Sequence, residues 1–130
     1  MLHPAEPLPP DISDNAASLV LRLDYGETSF LLMGDAEQAT EGELLAAGLP
    51  LRADVLKVAH HGSGGATSAA FLAAVQPRLA VIQVGADNRF GHPHPDTLAR
   101  LADITILRTD RNGRVEVISD GQQLWINPER

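Results

Sequence analysis

Apolar positions along the chain change period several times. Residues 18–23 and 29–33 alternate with polar neighbours and predict two β-strands, with Asp24, Tyr25, Gly26 and Glu27 as the turn between them. Residues 37–47 space Leu44 and Leu45 onto one face of a helix that Gly48 can end. A short apolar run over 54–59 predicts a buried strand. An alanine-rich stretch over 67–75, with Phe71, Leu72 and Val75 at helical spacing, predicts a helix broken by Pro77. Residues 79–84 predict another buried strand, and 85–95 a loop dense in Gly, Asn, His and Pro. A helix over 95–102 opens with Pro95 in its first turn, and a strand over 104–108 follows. Asn112-Gly113 and Asp120-Gly121 predict two hairpin turns flanking strands 114–118 and 123–126.

The predicted order is β-β-α-β-α-β-α-β-β-β. Helices alternating with short buried strands imply a layered α/β architecture, and hairpins at both ends imply a mixed sheet. Length changes little here: 130 residues is about one domain. Residues 1–14 hold four prolines within the first ten positions and read as an extended lead-in, leaving 15–130 as the folded unit. That lead-in has neither the basic nor the apolar segment of a signal peptide, and no apolar run reaches the roughly 20 residues of a membrane span.

Charge narrows the function. A net charge of −7 gives no bulk attraction for nucleic acid, so any such contact must be local or made through a metal. With no cysteine, disulfides, thiolate zinc sites and thiol nucleophiles are excluded. The chemistry therefore rests on carboxylates and imidazoles.

Asp35 follows a strand and Gly34. By residue type alone it reads either as the N-cap of the next helix or as a metal or acid–base group. His60 and His61 end the third strand before a Gly-Ser-Gly-Gly turn, where the backbone is free to bend sharply. His92 and His94 lie in Gly91-His92-Pro93-His94-Pro95, a rigid connection or a site loop. Functional groups of open α/β sheets gather at the carboxyl ends of strands, where Asp35, His60, His61 and His92 would meet. Imidazole with carboxylate suits zinc, manganese or iron. Ser63 lacks the spacing of a nucleophile elbow, and no Walker loop or dinucleotide fingerprint is present. Asp54 reads as a cap at a strand entry or a partner for a histidine. Among the scattered arginines, Arg89 in the histidine loop is the candidate for phosphate contact.

These residues resemble a known family. Asn15-Ala16-Ala17-Ser18-Leu19-Val20-Leu21, Phe30-Leu31-Leu32-Met33-Gly34-Asp35, Glu43-Leu44-Leu45, residues 53–63 ending in His60-His61-Gly62-Ser63, Asn88-Arg89-Phe90-Gly91-His92-Pro93 and Arg108-Thr109-Asp110 are similar to the C-terminal half of the metallo-β-lactamase-fold domain of ComEC-type DNA-internalisation (competence) proteins. The resemblance implies an αββα sandwich and metal-dependent phosphoester hydrolysis, acting as a nuclease in DNA uptake. It implies one or two divalent ions, Zn or Mn, with Asp35 as a bridging carboxylate and the late histidine ligand in the His60-His61 pair, His61 favoured. His92 would stand on the substrate side. DNA would be the substrate of the complete protein, at the extracytoplasmic face of the bacterial inner membrane within a larger membrane protein. The family's first metal motif, His-x-His-x-Asp-His, is absent, so a missing N-terminal half of the domain is an expected partner, and a half sandwich favours a homodimer. This chain itself is not expected to contact the membrane. The alternatives are a self-standing metallo-hydrolase of another ester and a non-catalytic half-domain acting as an oligomerising module.

Overall fold

The computed structural model describes residues 1–5 and 7–130. Strands β1 (Leu21–Tyr25) and β2 (Thr28–Leu32) form an antiparallel hairpin in register Leu23 to Phe30 and Tyr25 to Thr28. The turn is shorter than the sequence predicts, because Tyr25 pairs with Thr28 and leaves only Gly26 and Glu27 between the strands. Gly26 takes φ +58°, and a Cβ there would overlap the Gly121 backbone, so only glycine fits.

Strands β3 (Val55–Lys57), β4 (Leu79–Ile82) and β5 (Thr105–Arg108) then add in parallel, giving a five-stranded mixed sheet in order β1-β2-β3-β4-β5. The connecting helices are α1 (Gln38–Ala46), α2 (Ala69–Val75) and α3 (Pro95–Arg100). Each joins neighbouring parallel strands in sequence order, and such crossovers are right-handed, so all three helices lie on one face. There the sheet row Leu31, Leu56 and Ala80 packs with Met33, Val58 and Ile82 against Leu44, Phe71 and Leu101, all buried. Truncating one such leucine to alanine typically costs about 2–5 kcal/mol.

The opposite face carries Leu23, Phe30, Val55 and Leu79 in one row and Leu21, Leu32, Lys57, Val81 and Leu107 in the next. Leu23 is 57% exposed and Leu32 38%. None of α1, α2 and α3 lies on this face, although Val55 and Leu79 within it are buried. The C-terminal hairpin crosses part of it. After β5 the chain makes α4 (Thr109–Asn112), then β6 (Val115–Ser119) and β7 (Leu124–Pro128), which form their own two-stranded sheet. The tip of this hairpin is tied to the β1–β2 turn: Glu27 N–H donates to Gly121 O and the Thr28 and Ser119 hydroxyls are 2.6 Å apart. A cleft between hairpin and sheet is lined by Leu79, Thr105, Leu124 and Ile126.

Two expectations are corrected. Asn112-Gly113 is not a hairpin turn, because Arg108 N–H donates to Asn112 Oδ1 and closes a short helix that Gly113 ends. Only β1 makes the main sheet mixed, since β6 and β7 stand apart from it. Within the proline-rich lead-in, His3 is anchored to the fold. His3 bridges Val20, its ring Nδ1 is 2.8 Å from Ser18 O, and it is buried beside α1. Among the described residues no helix is long and apolar enough to cross a membrane.

Candidate functional site

The carboxyl ends of β2, β3 and β4 open onto one edge, and the candidate residues sit there. Asp35 lies three residues beyond β2. Its backbone N–H donates to Ser18 Oγ at 3.0 Å. It is not a helix cap: Glu37 occupies that position in α1, without a side-chain capping bond. The carboxylate is therefore free for other work.

After β3 the chain enters a tight turn over Ala59–Gly62, in which His60 (φ 45°), His61 (φ 54°) and Gly62 (φ 82°) are all left-handed. For a non-glycine residue that conformation costs about 1–2 kcal/mol. The turn overrides the strand rule that sends adjacent side chains to opposite faces. The two imidazole centroids lie 6.2 Å apart, and His60 is 5.7 Å from His92.

The histidines face different partners. His61 Nε2 is 3.6 Å from Asp35 Oδ1, and its Nδ1 is 2.7 Å from Gln83 O. A carbonyl accepts only, so Nδ1 carries a hydrogen, and in the neutral ring Nε2 is the nitrogen left with a lone pair on the Asp35 side. Both side chains are more than two-fifths exposed, which leaves them open to solution. His60 turns instead to Glu37: its Nδ1 is 3.3 Å from Glu37 Oε1, close enough for an ion pair yet not aligned for a hydrogen bond. His92 Nδ1 is buried without a partner. Burial, and then the neighbouring His60, His61 and His94, hold the His92 pKa below the usual histidine value. His94 lies apart as the N-cap of α3, its Nδ1 accepting from Asp96 N–H at 3.2 Å.

Supporting contacts fix the edge. Lys57 Nζ donates to Gly34 O at 3.2 Å, and burial lowers its pKa against the opposing pull of Asp35. Thr109 Oγ1 both accepts from Val84 N–H and donates to Val84 O, each at 2.8 Å, anchoring the start of the histidine loop to the start of α4. Asn88 closes that loop through Gly85 O, His92 O and His92 N–H. Ser63 Oγ only closes its own turn, accepting from Gly65 N–H. Asp54 sits at the opposite end of the sheet, where Oδ2 accepts from Ser29 N–H and Oγ, so it caps a strand entry and touches no histidine.

Two ligands of one tetrahedral zinc, each at about 2.1 Å, stand about 3.4 Å apart. Asp35 Oδ1 and His61 Nε2 fit that spacing. Among the described residues no three His, Asp or Glu side chains converge on one point. The edge thus pairs one carboxylate with one imidazole, and no third such group joins them among the described residues. Glu37 and Gln83 were not legible as partners in the sequence. Glu37 falls only two residues past Asp35, and Gln83 acts through its carbonyl, which any residue type supplies.

No family model matches the chain. It is 43% identical over 117 residues to ComE operon protein 3 of Bacillus subtilis, covering 88% of this chain and 15% of that protein. It is 37% identical over 109 residues to Competence protein ComA of Neisseria gonorrhoeae, covering 82% of this chain and 16% of that protein. It is 42% identical over 89 residues to Recombination protein 2 of Haemophilus influenzae, covering 68% of this chain and 11% of that protein. The chain spans no more than 16% of the length of these curated relatives. Their names support a competence-related family, which this chain matches through one segment of much longer proteins.

Proposed function

We propose that the chain is the C-terminal half of a metal-dependent phosphodiesterase domain that cleaves DNA during uptake. The observation that carries this reading is the Asp35–His61 pair: two metal-capable donors 3.6 Å apart at a strand-end edge, one of them held in a single tautomer by Gln83 O. Similarity to competence-related proteins supports DNA as the substrate. The exposed part of the apolar face, at Leu23 and Leu32, supports a two-sheet sandwich of the metallo-β-lactamase kind, completed by a preceding half that brings the remaining ligands.

Within that domain Asp35 supplies an anionic oxygen and His61 a neutral nitrogen, a donor set suited to Zn or Mn. A divalent ion held there supplies Lewis acidity toward a phosphoryl oxygen. His61 is kept in place by Gln83 and by the left-handed turn, so its lone pair need not be oriented when the ion arrives. His60 is drawn away toward Glu37 and serves the wall of the site rather than the pair. His92, held neutral by burial near neutral pH, faces the substrate side as a hydrogen-bonding group that does not add positive charge. The complete protein would act at the extracytoplasmic face of the inner membrane.

The test is cleavage of linear DNA with added Mn²⁺ or Zn²⁺ by the polypeptide that joins this segment to its preceding half. Asp35→Ala and His61→Ala should each lower the rate at least about 100-fold, since a metal's charge stabilisation is worth several kcal/mol. Cleavage unchanged by both substitutions would overturn the role of the pair. No cleavage by the joined polypeptide would remove the nuclease reading and favour a non-catalytic, oligomerising half-domain.

A further inference from the structure

Beside the Asp35–His61 pair lies a small cavity of about 200 Å³, lined by His61, Val84, Gly85, Asn88, Phe90 and His92. Phe90 lines it and is 75% exposed, the most exposed aromatic side chain on the molecule. Such exposure of an aromatic ring costs solvation free energy unless something covers it. Phe90 does not lie loose on the surface: its ring stacks on His92 at 6.0 Å with planes 24° apart. The loop that carries both rings is pinned by the three Asn88 hydrogen bonds to Gly85 and His92. One face of a fixed aromatic pair is thus offered to solution within a residue's reach of His61.

Resting on the DNA reading above, we propose that Phe90 and His92 form a stacking platform for an unpaired nucleobase, so that the site takes single-stranded rather than duplex nucleic acid. A base within a duplex has both faces covered and cannot lie on the Phe90 ring. An unpaired base can, and every base has a π-face. The Asn88 amide is fully engaged within its own loop, with its NH₂ on Gly85 O and His92 O and its oxygen on His92 N–H. Both of its N–H donors are spent, so it has none for a base edge, and the platform reads stacking more than sequence. Val84 and Gly85 make the floor apolar or featureless, which agrees with that. The chain's net charge of −7 makes local stacking more important, because the surface as a whole repels phosphates. Exposed Arg89, adjacent to Phe90, is placed to meet the phosphate of the stacked nucleotide.

The test is fluorescence anisotropy of the 130-residue chain with a labelled oligo-dT, an abasic oligonucleotide of equal length and the corresponding duplex, all in EDTA. The abasic strand keeps the phosphates and removes the bases. Oligo-dT should bind more tightly than both others. Phe90→Ala should weaken oligo-dT binding about 5- to 100-fold and leave the abasic strand unaffected, while Phe90→Trp should restore binding. Arg89→Ala should weaken oligo-dT and abasic binding by the same factor. Equal affinity for oligo-dT and the abasic strand, absence of saturable oligo-dT binding, or a Phe90→Ala variant that binds like the parent would each overturn the proposal. Phe90 is too exposed for its loss to unfold the chain, so a null result speaks to stacking. Because EDTA removes any metal and no bond is cut, this outcome is independent of whether the joined domain is a nuclease.

Discussion

Glu41 is the perturbation that most sharply tests how the His60–His61 turn is held. Its side chain is fully buried in α1. One carboxyl oxygen accepts from Thr67 N–H and the other from Ser68 N–H, the latter at 2.9 Å. From the far side Arg100 donates to Thr67 O at 2.8 Å, Ala66 O at 3.0 Å and Gly64 O at 3.3 Å. The segment leaving the histidine turn is therefore gripped by its N–H groups on one side and its carbonyls on the other. Thr67 is left-handed at φ 59°, a conformation that this grip must sustain. Glu41→Ala strips two hydrogen bonds to a carboxyl acceptor, each worth about 1.5–3 kcal/mol net, and leaves the donors without partners. Removing a buried carboxyl also recovers part of its desolvation cost. The balance should be a loss of about 3 kcal/mol. With a urea m-value of about 2 kcal/mol/M, the unfolding midpoint should fall by roughly 1.5 M. Glu41→Gln keeps one accepting oxygen and should lose about half as much. A double-mutant cycle with Arg100→Ala should be non-additive, since both side chains secure the same backbone. A Glu41→Ala midpoint within about 0.2 M of the parent would refute the reasoning, because it would mean that the two N–H groups find water as readily as the carboxyl.

Two more outcomes follow from the same edge. By NMR, His92 should titrate below the usual histidine midpoint of about 6.5, burial being the main cause. The unfolded state then binds more protons than the native state as pH falls below that value, so His92 should reduce stability on acidification from about pH 6.5 downward, and a His92→Gln variant should show a shallower loss. Titration at or above 6.5 would contradict the burial. Gly62→Ala would put a Cβ 2.6 Å from Pro93 Cβ at φ +82°, so left-handed strain and overlap together should cost about 2–4 kcal/mol and lower Tm by roughly 5–15 °C. A Tm within about 2 °C of the parent would show that the two histidine loops do not pack as described.

Much of the fold was legible because the short strands are continuous apolar runs closed by Gly, Pro or His. Helix α2 begins two residues later than periodicity suggests, because Ser68 caps it and Glu41 holds Thr67 outside it. Strand β3 is shorter than the apolar run over 54–59, since the tight turn that carries the left-handed histidines starts at Ala59. The sequence pattern predicts the strands of the C-terminal hairpin but not that they form a sheet of their own, because a local pattern does not say which strand accepts a neighbour. Gathering of Asp35, His60, His61 and His92 on one edge was legible from strand ends alone. Their pairing was not. That His61 meets Asp35 and His60 meets Glu37 depends on two positive φ angles that no spacing rule encodes.

The central claim is that Asp35 and His61 together present a cation-binding pair. The most direct measurement is a Zn²⁺ titration of the 130-residue chain, read by histidine ring ¹⁵N shifts beside the Asp35→Ala variant. The expected result is metal engagement at His61 Nε2, with Nδ1 still protonated toward Gln83 O, and affinity weakened at least about 10-fold by Asp35→Ala. Binding through His61 Nδ1, or binding at His92 and His94 that Asp35→Ala leaves unchanged, would contradict it.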